Sequence, residues 1–341
     1  MKKKMEIDFL NTIFCLLVIF IHVMSAPVTE LDRGNLLYVA AFVPWRLSAF
    51  VVQGFIFLSG LKLFLGFTPG RDIDYGEYYT SRLKKIVLPY IICVILYYVY
   101  FCRNGYFENP GVIQLTGYII NGTLVSHFYF VIIIVQLYLL RPVWEVCIAR
   151  GNPVVLLIVS AAVTMILPRL AHGFLYNDRI FTTYLIYWIG GCLAGAYYEN
   201  FCDWAKKRLG VLAAVFAAAV VCEGALSFVG MTGRMNVGYL EEMHLIYCVC
   251  AILFTYSIAL KAGEFAMHSL ILSEINGASY YIYLIHCLFI YIINDAMARF
   301  GGLLVSEKFC IRAVFTYTVS VLVCAAYVNL AKCIKKRLKK A

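Results

Sequence analysis

Long apolar stretches recur from one end of the chain to the other, and this pattern constrains the fold more than any other feature. Each approaches about 20 residues, the length at which a helix crosses roughly 30 Å of hydrocarbon. We predict ten spans, near residues 7–26, 41–65, 86–102, 123–142, 153–168, 181–198, 209–228, 244–261, 277–297 and 310–332. The sequence therefore predicts an all-α, polytopic transmembrane helix bundle in which residues 1–341 form one integral-membrane domain.

The composition agrees with a protein whose solvent is lipid. Hydrophobic residues make up 63% of the chain and charged residues 14%, whereas a soluble domain carries about 25% charged residues. This excludes an ordinary soluble enzyme, a disordered chain and a secreted disulfide scaffold. The 13 cysteines lie mostly within apolar runs and follow no zinc-binding spacing. We therefore predict that they pack between helices, and we predict neither a metal site nor a bound cofactor.

The basic residues, which give a net charge of +10, cluster at the ends of the predicted spans. The largest groups lie at residues 2–4, 82–85, 206–208 and 335–340. Lys and Arg accumulate on the cytoplasmic side of membrane proteins, so the pattern predicts a multi-pass protein with both termini in the cytoplasm. We predict membrane lipids and not nucleic acid as partners, because the sequence predicts no soluble domain with a basic groove.

Several polar side chains fall inside apolar spans, where each is costly and is therefore a functional candidate. His22 lies about 22 Å along the first span, His127 opens the fourth, and His286 lies near the middle of the ninth. Arg46 lies near the outer end of the second span. A single intramembrane His is often only a hydrogen-bonding residue between helices. Three of them together indicate a polar cavity, but their positions alone do not distinguish a transporter, a channel and an enzyme.

Five segments resemble those of acyltransferase 3, a membrane acyltransferase family that includes bacterial cell-surface O-acetyltransferases. They occur in the family's order, from the first span with its terminal His to the YLxH-type segment near the end. The segments are residues 7–23, 53–60 (QGFIFLSG), 79–90 (YTSRLKKIVLPY), 127–142 (opening HFYF) and 279–286 (SYYIYLIH). Two positions depart from the family pattern, Asn11 where Arg is usual and Tyr129 where Trp is common. The first departure leaves the role of that basic position open.

The resemblance implies acyl-CoA, typically acetyl-CoA, as donor and co-substrate. It implies as acceptor a hydroxyl of a cell-surface glycan or its lipid-linked sugar precursor, at a bacterial plasma membrane. His22 then acts as general base, for which its ordinary pKa of about 6.5 is suited, or accepts the acyl group transiently. The candidate catalytic residues are His22 and His127. The candidates for positioning substrate or stabilising the oxyanion are Ser59, Arg46 and His286. The candidate acyl-CoA-binding residues are Arg82, Lys84 and Lys85.

Two other functional classes compete with this interpretation. A transporter that exports a polysaccharide intermediate would also need about ten spans with polar interior residues, although the sequence contains no clear inverted repeat. A membrane scaffold would tolerate substitution of His22 and Arg82. The sequence does not indicate an oligomeric state.

Overall fold

A computed structural model describes residues 4–338, apart from the side chain of Glu264, and over this range the chain is helical with no strand. The N- and C-terminal lysines predicted as topology signals at positions 2, 3, 339 and 340 lie outside the described residues. The helices are α1 Met5–Glu30, α2 Leu36–Ser48, α3 Val51–Phe64, α4 Tyr75–Arg82, α5 Leu88–Arg103, α6 Val112–Asn121, α7 Tyr129–Leu139, α8 Arg141–Arg150, α9 Pro153–Leu170, α10 Leu185–Ala196, α11 Tyr198–Lys207, α12 Leu209–Met231, α13 Leu240–Ala266, α14 Leu270–Ala298 and α15 Val305–Leu338.

Local sequence signals set where several helices begin and end. The Asn35 side chain accepts a hydrogen bond from the amide of Leu37 at the start of α2, and the Asp74 side chain accepts one from Glu77 at the start of α4. Asn152 caps α9 in the same way, directly before Pro153. Asx side chains satisfy first-turn amides that have no helical partner, and Pro suits the first helical position. The local sequence therefore determines where these helices begin and where the short connections lie.

Within residues 4–338, eight helical stretches are long and apolar enough to cross a membrane. They correspond to eight of the ten predicted spans, which confirms an all-α polytopic bundle. The predicted span at 181–198 corresponds to a shorter apolar helix, Phe181–Ala196. The orientation of the termini stays a prediction.

The predicted span at 123–142 is part of a broken helix. Helix α6 ends at Asn121 and is followed by Gly122, whose φ of 62° places it in the left-handed region that glycine adopts without strain. The chain resumes with a 3₁₀ turn at Ser126–Phe128 and continues into α7. The two helical pieces, Val112–Asn121 and Ser126–Leu139, meet at an angle of 53°. The segment 103–122, which lies between two predicted spans, therefore contains the first helix of this bent pair.

The helices divide into two compact units, each with its own packing, and the prediction of one integral-membrane domain stays a prediction. The first unit contains the described residues of Met1–Phe55 and Cys202–Ala341. In it α1 packs against α2, α13, α14 and α15, and α12 packs against α2 and α13. Its apolar core surrounds Cys15, Ile19 and Ile282. Helix α1 is thus the centre of the first unit.

The second unit contains Ile56–Phe201. Here α10 packs against α8 and α9, α5 packs against α6, and α7 packs against α6 and α8. Glycines bring α3 and α10 together, since a Cβ atom on Gly60 would lie 2.7 Å from the carbonyl oxygen of Trp188. Close backbone approach at small residues is the usual way in which membrane helices associate.

Candidate active site

The two helices that carry His22 and His286 are held in register by a polar contact near their N-terminal ends. The Asn11 side-chain amide donates hydrogen bonds to Asn276 Oδ1 (2.8 Å) and Ser279 Oγ (2.7 Å). His22 lies about 16 Å beyond Asn11 along α1, and His286 lies about 15 Å beyond Asn276 along α14. The two imidazoles therefore reach the same level, and their ring centroids are 5.0 Å apart. The structure brings together two residues that the sequence predicted separately.

The backbone of α14 sets the orientation of His286. Its Nδ1 lies 2.8 Å from the carbonyl oxygen of Tyr283 and 3.1 Å from that of Ile282. A carbonyl oxygen only accepts, so Nδ1 carries the proton and donates to it, and Nε2 of the neutral ring holds the lone pair. The ring is fully buried, which leaves it little freedom to turn. His286 thus presents a hydrogen-bond acceptor of fixed direction.

Cys287 completes this cluster, and sequence reasoning did not single it out. Its Sγ lies 3.3 Å from His286 Nε2. The donor atoms of His22, His286 and Cys287 all lie within 4.8 Å of one another. Two imidazoles and a thiol are groups that zinc accepts as ligands, so this cluster is where the described residues could hold a metal ion. The prediction of no metal site stays a prediction.

Arg82, predicted to bind acyl-CoA, lies in the second unit between two aromatic rings. Its guanidinium carbon is 4.6 Å from the ring centre of Tyr138 and 5.1 Å from that of Tyr78. Such stacking on aromatic faces holds a guanidinium in place. The buried Nε of Arg82 has no hydrogen-bond partner among the described residues. Arg82 is therefore held in place as a cation by Tyr78 and Tyr138.

Arg82 lines a cavity of about 450 Å³. The cationic side chains that line the cavity are Arg71, Arg82, Lys85 and Arg141. Three carboxylates, Asp72, Asp74 and Glu77, also line it. Cations on several sides of an open cavity of this size are suited to the phosphates of a nucleotide, because each guanidinium can engage two oxygens at once.

A local change of helix type begins directly after Arg82, includes Lys85, and leads into the apolar helix that follows. Residues Leu83–Val87 form a π-helical segment, and the amide of Leu88 donates to the carbonyl of Leu83. Pro89 follows directly, and a proline ring clashes with the carbonyl four residues earlier in a regular α-helix. The wider π turn relieves that clash. Lys84 and Lys85 are both exposed, but of these two only Lys85 is among the described residues that line the cavity.

Arg46, predicted to position substrate, belongs to a buried polar cluster in the first unit. Its Nε lies 2.7 Å from Oε1 of the fully buried Glu223. The same oxygen lies 2.8 Å from His244 Nδ1 and accepts from Ser227 Oγ at 3.2 Å. His244 Nε2 in turn lies 3.4 Å from Cys248 Sγ. Arg46 thus connects α2 to α12 and α13, and its role toward a substrate stays a prediction.

His127 and Ser59, the remaining candidates, lie in the second unit. His127 is buried in the 3₁₀ turn before α7, with its ring 4.5 Å from that of Phe128 and 6.1 Å from that of Tyr97. Ser59 is half-buried on α3, next to the glycine that packs against α10. These surroundings are compatible with structural roles for both, and their catalytic roles stay predictions.

The sequence missed several members of these clusters for identifiable reasons. Arg71 and Arg141 looked like topology signals, because they lie at the ends of apolar runs. His244 lies near the end of a predicted span, and Cys287 is one of many cysteines within apolar segments. The adjacency of Cys287 to His286 was the one available signal. Tertiary contact was needed to make it informative.

Comparison with known proteins agrees with the fold, which is that of a multi-pass membrane protein. The acyltransferase 3 family model, described as an acyltransferase domain, matches residues 5–328. The chain belongs to this family and is a membrane acyltransferase. No curated protein and no solved structure matches it significantly.

Proposed function

We propose that this protein is a membrane O-acyltransferase. It moves an acetyl group from cytoplasmic acetyl-CoA to a hydroxyl of an extracytoplasmic acceptor, a surface polysaccharide or its lipid-linked precursor. The observation that carries the proposal is the pairing of His22 with His286 across α1 and α14. Family membership supports the acyl-transfer chemistry in general. The identity of the donor, the identity of the acceptor and the roles of the residues are part of this proposal.

In this mechanism His22 is the general base. It removes the proton of the acceptor hydroxyl while that oxygen attacks the carbonyl carbon of the thioester, and the sulfur of CoA leaves. His22 is partly exposed whereas His286 is buried, so an acceptor would meet His22 first. His286 supports this role because its buried ring lies beside that of His22 and helps to hold the His22 imidazole in place. A base aligned by a second group is the usual arrangement for activating a nucleophile.

The cavity around Arg82 is the proposed site for the phosphates of CoA. Arg82, Lys85, Arg71 and Arg141 would neutralise them, and the rings of Tyr78 and Tyr138 keep the Arg82 guanidinium in position. If the N-terminus is cytoplasmic, as the basic residues predict, this cavity lies at the cytoplasmic end of the stretch Tyr75–Arg103. That is the side on which acetyl-CoA is available.

The proposal is tested by replacing His22 with Gln in membranes that contain the full chain. With labelled acetyl-CoA, acetyl transfer to membrane or surface material is expected to fall by about 10²- to 10⁴-fold, the usual contribution of a general base. The matched control is His172→Gln, since His172 is exposed in the loop after α9, and it should retain activity. Wild-type activity in His22→Gln, with normal membrane insertion, would remove His22 from the mechanism.

One observation favours the alternative of a polysaccharide exporter. Transporters often place their sites at broken membrane helices, and the pair Val112–Asn121 and Ser126–Leu139 is bent by 53°. The same labelled acetyl-CoA separates the two functions. An acyltransferase consumes acetyl-CoA and labels the acceptor, whereas an exporter moves the polysaccharide without consuming it.

A further inference from the structure

The thiol of Cys287 lies beside two imidazoles within the first unit. Cys287 is 5% exposed, its Sγ is 3.3 Å from His286 Nε2, and the donor atoms of His22 lie within 4.8 Å of both. A cysteine and a histidine at this distance form the usual nucleophile and base of covalent acyl transfer. The general-base mechanism leaves this thiol unused.

The hydrogen-bond pattern gives the direction in which a proton would move. Because His286 donates through Nδ1 to the carbonyls of Tyr283 and Ile282, its Nε2 can only accept. The thiol of Cys287 is therefore the donor in the contact with Nε2. Transfer of that proton would produce a thiolate, the nucleophilic form of cysteine, next to an imidazolium that two carbonyl oxygens stabilise.

We propose that Cys287 carries the acyl group as a thioester between acyl-CoA and the acceptor. This inference rests on the proposed function, and it divides one transfer into two steps. The first step exchanges one thioester for another, so little free energy is gained or lost in it. The arrangement gives His286 and His22 separate tasks, one in each step.

The two steps balance without an oxidant or a reductant. In the first, the Cys287 sulfur attacks the thioester carbonyl, the carbon–sulfur bond to CoA breaks, and the proton passes from Cys287 through His286 Nε2 to the departing sulfur of CoA. In the second, the acceptor oxygen attacks the acyl-Cys287 carbonyl while His22 takes the hydroxyl proton. The carbon–sulfur bond to Cys287 breaks, and the proton returns to the thiolate.

Two other buried cysteines serve as comparisons. Cys15 lies on α1, and its Sγ contacts the carbonyl oxygen of Ser279. Cys248 contacts His244 Nε2 at 3.4 Å, but His244 belongs to the Arg46–Glu223 cluster and not to the His22–His286 pair. Cys287 is favoured because the second step needs a base, and His22 is within reach of it.

The first step needs no acceptor, so it can be measured before the acceptor is identified. The full chain, purified in lipid nanodiscs, is mixed with acetyl-CoA and, in a parallel reaction, with succinyl-CoA. We expect a burst of free CoA close to one equivalent per protein. Peptide mass spectrometry after acid quench should find the acyl group on Cys287, released by neutral hydroxylamine. The His22→Gln variant should accumulate this species, because its second step is impaired.

Variants identify the labelled thiol. Cys287→Ala should lose the burst and the label, whereas Cys15→Ala should retain both on Cys287. If Cys287→Ala does not fold, prior incubation of the wild-type protein with acetyl-CoA should still protect Cys287 from N-ethylmaleimide. Label on Cys248 instead, or the absence of a burst and a label with both acyl-CoA compounds, overturns the proposal. Stoichiometric zinc that is lost in Cys287→Ala would also overturn it, since the thiolate would then be a metal ligand.

The outcomes distinguish this inference from the proposed function. If Cys287→Ala transfers acetyl groups as fast as the wild type while His22→Gln does not, the thioester step is wrong and the general-base mechanism stands. If neither substitution lowers acetyl transfer, both fail. A burst on Cys287 together with full activity of His22→Gln would retain the thioester and remove His22 as base.

Discussion

Arg46 and Glu223 illustrate how a charged pair is kept inside an apolar bundle. The carboxylate is fully buried, and the guanidinium, an imidazole and a hydroxyl all contact the same oxygen, Oε1. Oε2 has no hydrogen-bond partner among the described residues. Removing one member of such a pair usually costs more than replacing both, because the remaining charge stays buried. At the residue scale, this cluster connects the helices α2, α12 and α13 through titratable side chains.

Substitutions at Arg82 and Lys84 test whether the cavity, and not the basic run as a whole, binds the donor. Arg82→Ala should weaken acetyl-CoA binding by about 10- to 100-fold, because a charged hydrogen bond contributes about 1.5–3 kcal/mol. Lys84→Ala should change it by less than about fivefold, as expected of an exposed ion pair worth at most about 1 kcal/mol.

The measurement is equilibrium binding of acetyl-CoA to the purified variants. Equal losses in the two variants would contradict a site in the cavity and would favour a diffuse electrostatic role for residues 82–85. A smaller effect on acceptor use than on acetyl-CoA binding is expected for Arg82→Ala.

At the scale of elements, the contact between α3 and α10 depends on glycines at specific positions. A Cβ atom on Gly191 would collide with the backbone carbonyl of Phe57, whereas one on the adjacent Gly190 would come no closer than 3.9 Å to the Phe57 ring. Both glycines lie in α10, but only Gly191 lies against the backbone of α3. They therefore form a matched pair.

Gly191→Ala should destabilise the protein by about 1–3 kcal/mol, the usual cost of overpacking. Gly190→Ala should be neutral or slightly stabilising, since Ala is a better helix former than Gly by about 1 kcal/mol. Thermal unfolding of the detergent-solubilised variants measures both. An equal decrease in the two melting temperatures would show that α3 and α10 do not rely on close approach at Gly191.

For the whole molecule, the number of crossings and the location of the termini depend on each other. Eight stretches qualify as spans among the described residues, and the bent pair would make nine. Termini on the same side require an even number. If the bent pair crosses the membrane, two cytoplasmic termini therefore require that the shorter helix Phe181–Ala196 also crosses.

Fusion reporters test this prediction. A fluorescent protein fused to the C-terminus should fluoresce, and alkaline phosphatase at the same position should be inactive, because the basic residues of the last segment favour the cytoplasm. A fusion in the loop after α1, near residues 31–35, should give the opposite result. An active phosphatase at the C-terminus would contradict the predicted cytoplasmic location of that terminus.

Much of the architecture was predictable because hydrocarbon imposes strict requirements on sequence. Every backbone polar group must be satisfied internally, so a long apolar run is a helix almost by necessity. This is why eight predicted spans correspond to long apolar helices. The bend at Gly122 was missed, because hydropathy records the apolar character of a segment and not the direction of its backbone.

The sequence by itself determined the helical bundle, the family, the histidines His22 and His286 within apolar spans, and the basic group that contains Arg82. Tertiary structure decided which of these meet. It paired His22 with His286 and Cys287, stacked Arg82 on Tyr78 and Tyr138, and joined Arg46 to Glu223. The cost of burying a polar residue in a membrane span depends on that residue and its own segment, so it can be judged from the sequence alone. Contact depends on the register and rotation of two helices, which packing between distant segments sets.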